Sequence, residues 1–169
     1  MIELLILYIL NTRDKTIYAI RREIIELFGM FTQPSLGTIH PALKRLLAKD
    51  AVKFEKKFSE GGKKSTYYSI TPEGKKVFKE LFFEDISSNP SLFYTQLMSR
   101  ILTVSMLDKE DKTAFWDELS KNVDIQRMEV EKALQNPYVS YDAWQKAVIL
   151  EVLNNANSLA ALVERLKTY

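Results

Sequence analysis

Apolar residues in the first third of the chain recur at helical spacing. Ile2–Leu10 is apolar at nearly every position, Glu3 being the main exception, which predicts a first helix buried on most sides. Asn11-Thr-Arg-Asp14 reads as a turn. From about Thr16, the residues Ile17, Ile20, Ile24 and Leu27 fall three or four apart, which predicts a second, one-sided helix ending at Gly29. After a loop over residues 30–34, the set Leu36, Ile39, Leu43, Leu46 and Leu47 repeats the stripe, with Pro41 inside it. Proline is easiest in a first turn, where its missing N–H costs nothing. The pattern alone therefore starts the regular helix near His40, makes residues 35–39 a preceding turn, and leaves that boundary open.

The period then changes to two. Val52, Phe54, Lys56 and Phe58 lie on one side of an extended segment and Lys53, Glu55 and Lys57 on the other; residues 66–70 form a second β-branched and aromatic run. Gly61-Gly62 between them suits a hairpin turn. Thr71 is placed to cap a fourth helix, with Pro72 at its first position and Glu73 in its first turn. Polar residues and Pro90 break the pattern over 84–91, where Ser88 or Asn89 can cap the next helix.

Beyond that junction nearly everything is helical. Residues 92–106 form one element. Asp108 caps another that carries Phe115, Trp116, Leu119, Val123, Met128 and Leu134. Asn136-Pro137 breaks it, and the last helix begins after Ser140. Its apolar positions, Trp144, Val148, Leu150, Val152, Leu159, Leu162, Val163 and Leu166, are spread widely enough for burial from two directions.

Charge sharpens this division. The 169 residues carry a net charge of +2, but residues 1–83 hold 15 Lys+Arg against 9 Asp+Glu, and residues 84–169 hold 9 against 13. A basic front half points to a polyanion partner. With no cysteine and one histidine, the chain has no disulfide, thiol nucleophile, thiolate zinc site or iron–sulfur cluster, and no site needing two imidazoles. No glycine-rich phosphate loop or nucleophile elbow is present. Asp108 and Asp111 suit the positive end of a helix dipole, and no loop has calcium-binding spacing. The expectation is no enzyme activity, no cofactor and no metal. The apolar run over residues 4–10 is far short of the roughly 20 residues of a membrane span and lacks the flanks of a signal peptide, so a cytoplasmic protein without a membrane partner is expected.

Three helices followed by a hairpin is the order of a winged helix-turn-helix, in which the third helix enters the major groove of DNA and the hairpin follows the backbone or minor groove. The expected fold class is mainly α with a small β-hairpin: a winged helix-turn-helix DNA-binding domain over residues 1–83 and a helical dimerisation domain over 84–169. Ser35, Thr38 and His40 are short polar groups near the start of the third helix, with Lys44 and Arg45 one turn on. Lys63 and Lys64 fall at the hairpin tip, within reach of phosphates. Thr16 and Tyr18 open the second helix. Plainer uses compete: Ser35 as a helix cap, the lysines as solvated charge, and Tyr67 and Tyr68 as one wing-face and one core residue.

Gln33-Pro-Ser-Leu-Gly-Thr-Ile-His-Pro-Ala-Leu-Lys-Arg-Leu46 resembles the recognition-helix signature of PadR-type transcriptional regulators, Ser-x-Gly-(Ser/Thr)-Ile-Tyr-Pro-Ala-Leu. The wing, Glu60-Gly-Gly-Lys-Lys-Ser-Thr-Tyr-Tyr-Ser-Ile-Thr-Pro-Glu-Gly74, is similar to that family's basic hairpin and following helix start, and Tyr18 falls where the family keeps a tyrosine. The resemblance covers about residues 1–83. It implies a recognition helix starting near Ser35 with Pro41 inside it. It also implies DNA contacts from Tyr18, Ser35, Thr38, His40, Lys44, Lys63 and Lys64, and a homodimer on a near-palindromic operator, usually as a repressor. His40 stands where the family usually has tyrosine, and Thr16-Ile17 where His-Gly is common.

The long back half is similar to that of the larger subgroup. Trp144, Val148, Val152, Leu159 and Leu162 are candidates for the dimer seam, with packing inside one chain as the competing use. Phe93, Trp116 and Trp144 are candidates to line a cavity for a flat apolar effector, again against plain core packing. The alternative function is a winged-helix protein-interaction module that does not bind DNA.

Overall fold

The first helix, α1 (Ile2–Leu10), buries Leu4, Leu5, Ile6, Leu7, Ile9 and Leu10, and the elements that follow pack around it. They are α2 (Ile17–Phe28), α3 (Leu36–Ala48), β1 (Val52–Phe58), β2 (Lys64–Ile70), α4 (Pro72–Phe83) and α5 (Pro90–Thr103), then a 3-10 turn (Val104–Met106), α6 (Lys109–Leu134) and α7 (Ala143–Leu166). This computed structural model describes residues 1–58, 64–86 and 90–169, without the side chains of Pro90, Ser91 and Phe93. The expected Gly61-Gly62 turn and the Ser88 or Asn89 cap lie outside the described residues. The fold is the winged-helix arrangement followed by a helical region, as the element order predicts.

The chain forms two compact units, Met1–Leu107 and Asp108–Tyr169. α5 thus falls in the first unit, beyond the sequence boundary at residue 83. Arg100 is one tie that holds it there, and packing against α1 is another. Arg100 is 7% exposed, and its guanidinium donates to the Phe82 and Glu84 carbonyls, each at 2.6 Å, at the C-terminal end of α4. Leu97 and Met98 bury the same face of α5, and Ser99 donates to the Thr95 carbonyl at 2.8 Å.

The start of α3, which pattern alone leaves open, falls where the resemblance implies it. Ser35 is its N-cap, and Pro41 lies in the second turn. Proline there removes one helical donor, the one that would reach the Gly37 carbonyl. Both Gly37 and Pro41 are on the exposed side, and Ile39, Ala42, Leu43 and Leu46 are buried opposite them. That burial outweighs one lost bond. In α2 the buried residues are Ile20, Ile24 and Phe28, while Leu27, on the rim of the stripe, is exposed.

α3 ends in a Schellman motif: Ala51 N–H donates to the Leu46 carbonyl at 2.9 Å and Asp50 N–H to that of Leu47 at 3.1 Å. Asp50 adopts φ 54°, in the left-handed region. Thr71 then caps α4, accepting from Gly74 N–H at 3.0 Å while its hydroxyl donates to the Asp50 carbonyl at 2.6 Å. A Cβ on Gly74 would lie 2.1 Å from the Ala51 carbonyl oxygen, so only glycine lets α4 start this close to β1.

β1 and β2 pair antiparallel, from Val52↔Ile70 to Phe58↔Lys64. The alternation in β1 suggests a half-buried strand, but only Val52 is buried; Phe54 is 55% and Phe58 74% exposed. The hairpin runs past the core, so its apolar period has little to pack against. Tyr67 and Tyr68 are both half-buried, rather than one outside and one in the core.

In the second unit α6 and α7 are antiparallel. Ser120 donates to Glu164 at 3.1 Å, and Lys167 lies 4.0 Å from Asp117. Asp108 caps α6, and Asp142 caps α7 through a capping box with Gln145. Phe115, Trp116, Leu119, Val123, Ala156 and Val163 are its buried apolar residues. The wide apolar face expected of the last helix is therefore largely uncovered within one chain.

Substituting Gly74→Ala should destabilise the protein by about 1–3 kcal/mol. Asp50→Gly should stabilise it by up to about 1 kcal/mol. Denaturant unfolding of both variants checks the pair, and an unperturbed Gly74→Ala would contradict the close approach of α4 to β1.

Candidate nucleic-acid interface

The turn between α2 and α3 is held by its own backbone and by two side chains. Phe31 and Thr32 N–H groups donate to the Phe28 carbonyl at 2.9 Å, Gln33 donates to the Gly29 carbonyl at 3.2 Å, and Arg21 Nε to that of Pro34 at 3.1 Å. With the inner face of α3 buried, Ser35, Thr38, His40 and Lys44 are left exposed on its outer face. Ser35 is indeed a cap: its Oγ accepts from Thr38 N–H at 3.2 Å. The same oxygen lies 3.1 Å from Thr38 Oγ1. Whichever hydroxyl donates in that pair, the other keeps its hydrogen for an outside acceptor.

The two adjacent cations of α3 have different fates. Arg45 Nε is hydrogen-bonded to Glu3 of α1, so its charge is neutralised. Lys44 has no carboxylate partner among the described residues. Tyr18 is exposed in the first turn of α2, beside the Thr16 cap, whose Oγ1 accepts from Ala19 N–H at 3.3 Å. Lys64 is exposed at the end of β2; Lys63 lies outside the described residues.

What fixes the wing relative to α2 is a residue the pattern did not single out. Lys15 bridges β2 through its backbone, donating to the Tyr68 carbonyl at 3.0 Å and accepting from Tyr68 N–H at 2.8 Å. Its side chain is 3% exposed and pairs with Glu23 of α2 at 2.8 Å. A lysine before a helix cap reads as solvated charge, so nothing in the sequence marks this one as buried. Next to it, Asp14 lies 3.3 Å from Lys57, which also pairs with Glu55 at 3.1 Å. A hydrogen bond from Ser69, and then Lys57, hold the Asp14 carboxyl below its ordinary pKa. The cleft of about 350 Å³ beside Lys15 mixes Arg13 and Arg22 with Glu23 and Glu26, so it does not select for an anion.

The second unit separates the residues expected to form an effector cavity. Trp116 is buried against Phe115, ring centroids 4.9 Å apart. Trp144 is 84% exposed at the start of α7. Glu164, which accepts from Ser120, lies 20 residues further along α7, roughly 30 Å at 1.5 Å per residue. The two indoles are therefore at opposite ends of the helix pair, and the Phe93 side chain lies outside the described residues. Trp144, Val148 and Val152 are exposed, and Leu159 and Leu162 half-buried, along one stripe of α7. Among the described residues there is no cluster of metal ligands and no helix long and apolar enough to cross a membrane.

Residues 6–80 match the model of the transcriptional regulator PadR-like family. A PadR family transcription regulator from hypervirulent Clostridium difficile is 32% identical over 47% of this chain and 80% of its own, with a TM-score of 0.41. The chain belongs to the PadR-like family. A transcriptional regulator from Clostridium thermocellum is similar too, at 31% identity over 46% of this chain and 75% of its own, TM-score 0.42. Bacillus subtilis PadR, solved in complex with operator DNA, is 15% identical over 99% of this chain and 97% of its own, TM-score 0.46. No curated protein matches. In this PadR-like chain the family match ends at residue 80, within α4, so the second unit lies beyond it.

The Asp14 link gives the wing a pH dependence. A folded-state pKa below the ordinary 3.8 means the link contributes stability above that pH and loses it as pH falls through the lowered value. Asp14→Asn should therefore be less stable than the parent near neutrality and indistinguishable from it at acid pH. Paired unfolding curves from pH 7 to pH 2 check this, and a difference that grows on acidification would contradict it.

Proposed function

We propose that this chain is a DNA-binding repressor that acts as a homodimer on a near-palindromic operator. The observation that carries the reading is the outer face of α3. Two hydroxyls, one imidazole and one ammonium without a carboxylate partner among the described residues project from the outer face of a helix whose opposite face is locked into the core. Groups of this kind hydrogen-bond phosphates and base edges in a major groove. Tyr18 flanks them at the head of α2, and Lys63 and Lys64 are the wing cations assigned to phosphates. The +6 excess over residues 1–83 supports the same partner.

Residues 1–83 are assigned to DNA binding and 84–169 to dimerisation. The uncovered stripe of Trp144, Val148 and Val152, with Leu159 and Leu162 further along, supports a seam on α7, because contiguous exposed apolar surface marks an interaction site. Pairing two recognition helices about 34–36 Å apart, or a multiple of that, matches two half-sites on one face of the duplex. The reading includes release by a flat apolar effector. A hollow of about 420 Å³ beside Trp144, lined also by Tyr141, Val148 and Ile149, supports that role for Trp144 rather than for Trp116.

Footprinting the region upstream of its own gene should reveal a protected near-palindrome, with log affinity falling linearly against log salt. Replacing Lys63 and Lys64 together by alanine should flatten that slope by about two phosphates' worth, roughly 0.9 each. Absence of binding to that region, and to random duplex at low salt, sinks the reading in favour of a protein-interaction module.

For the seam, Val148→Glu with Val152→Glu should convert a dimer to monomer in sedimentation. An unchanged mass moves the seam elsewhere. Titrating the parent's tryptophan emission with flat aromatics tests the effector, and an unresponsive spectrum removes it from the reading.

A further inference from the structure

We infer that Phe58 is a DNA contact in its own right: an apolar wedge that the wing sets between base steps in the minor groove. The inference rests on the DNA-binding reading above. Along β1 the same-face residues are Val52, Phe54, Lys56 and Phe58, and burial falls away from the core. Phe54 still meets the Tyr68 ring, centroids 6.4 Å apart. Phe58 lies four residues further out, about 13 Å along an extended strand. It is 74% exposed and makes no ring contact among the described residues. Among the described residues, no ring and no buried apolar side chain explains an aromatic at that position.

Its surroundings state what it suits. Phe58 stands directly opposite Lys64, with Lys56 two residues before it on the same face. Neither lysine has a carboxylate partner among the described residues. On the other face, Lys57 is held by Asp14 and Glu55. The uncompensated charge and the exposed ring therefore share one side of the wing. A ring flanked by free ammoniums fits a surface with phosphate rims and, between its base steps, the apolar faces of stacked bases. The minor groove is such a surface, and side chains of this type wedge between its base steps.

The test compares Phe58→Ala, Phe58→Leu and Lys64→Ala on the footprinted duplex, with 2-aminopurine at successive steps. Phe58→Ala should bind about tenfold more weakly, as loss of a base contact does. Its salt slope should be unchanged, because no phosphate contact is lost. The 2-aminopurine brightening that the parent causes should disappear. Phe58→Leu should keep most of both signals, and Lys64→Ala should flatten the slope by about 0.9. Thermal midpoints should be equal throughout, since neither side chain is buried. Parent-like affinity and brightening in Phe58→Ala overturn the wedge and leave the DNA-binding reading standing. No duplex binding by the parent overturns both. A changed sedimentation mass in Phe58→Ala makes the ring a subunit contact and also overturns the wedge.

Discussion

The first unit depends on the burial of α1. Six of its nine residues are large apolar side chains with almost no exposure. A helix apolar nearly all round cannot lie on a surface; it must be enclosed. α2, α3, α4, α5 and β2 do this from different directions. Once Ile39, Leu43 and Leu46 are committed to that enclosure, the orientation of α3 about its own axis is fixed, and its polar residues face outward. The candidate DNA surface is thus a by-product of how the core is closed. Glu3, the one charge on α1, points the same way: it reaches the edge of the core and takes Arg45 with it.

The wing obeys a different constraint. Two strands alone are marginal in water, and this hairpin buries little beyond Val52. Its position relative to α2 is set instead by polar links at one corner: the Lys15 backbone bridge, the Lys15–Glu23 pair and the Asp14–Lys57 contact. A buried ion pair contributes little net stability, because desolvation offsets attraction. Its value here is geometric, since losing either partner leaves a charge stranded under the wing.

Much of the first unit was legible in the sequence because its signals are periodic. The stripes of α2 and α3, the alternation of β1 and the Thr71-Pro72 start all correspond to observed elements. Pattern failed where long-range packing overrides a local rule. Pro41 suits a helix start by local rule, yet it lies inside α3, where the burial of its neighbours outweighs one missing hydrogen bond. The alternation puts Phe54 and Phe58 on the same side as Val52, but it carries no information on where the core ends, and both are exposed. Lys15 and Arg100 were invisible for a shared reason: both are buried cations satisfied by partners distant in sequence. In the second unit the helices were legible, but the spacing of Trp116 and Trp144 along an antiparallel pair was not, because it depends on the register of α6 against α7.

Around Asp50, the end of α3, the start of β1 and the start of α4 are joined by backbone hydrogen bonds, the Thr71 hydroxyl and a glycine contact. None of these involves a side chain on the outer face of α3. His40 and Lys44 consequently carry no share of the framework. Such positions can be exchanged with little stability cost, so the proposed recognition surface can be rewritten for a new sequence while the scaffold beneath it stays the same.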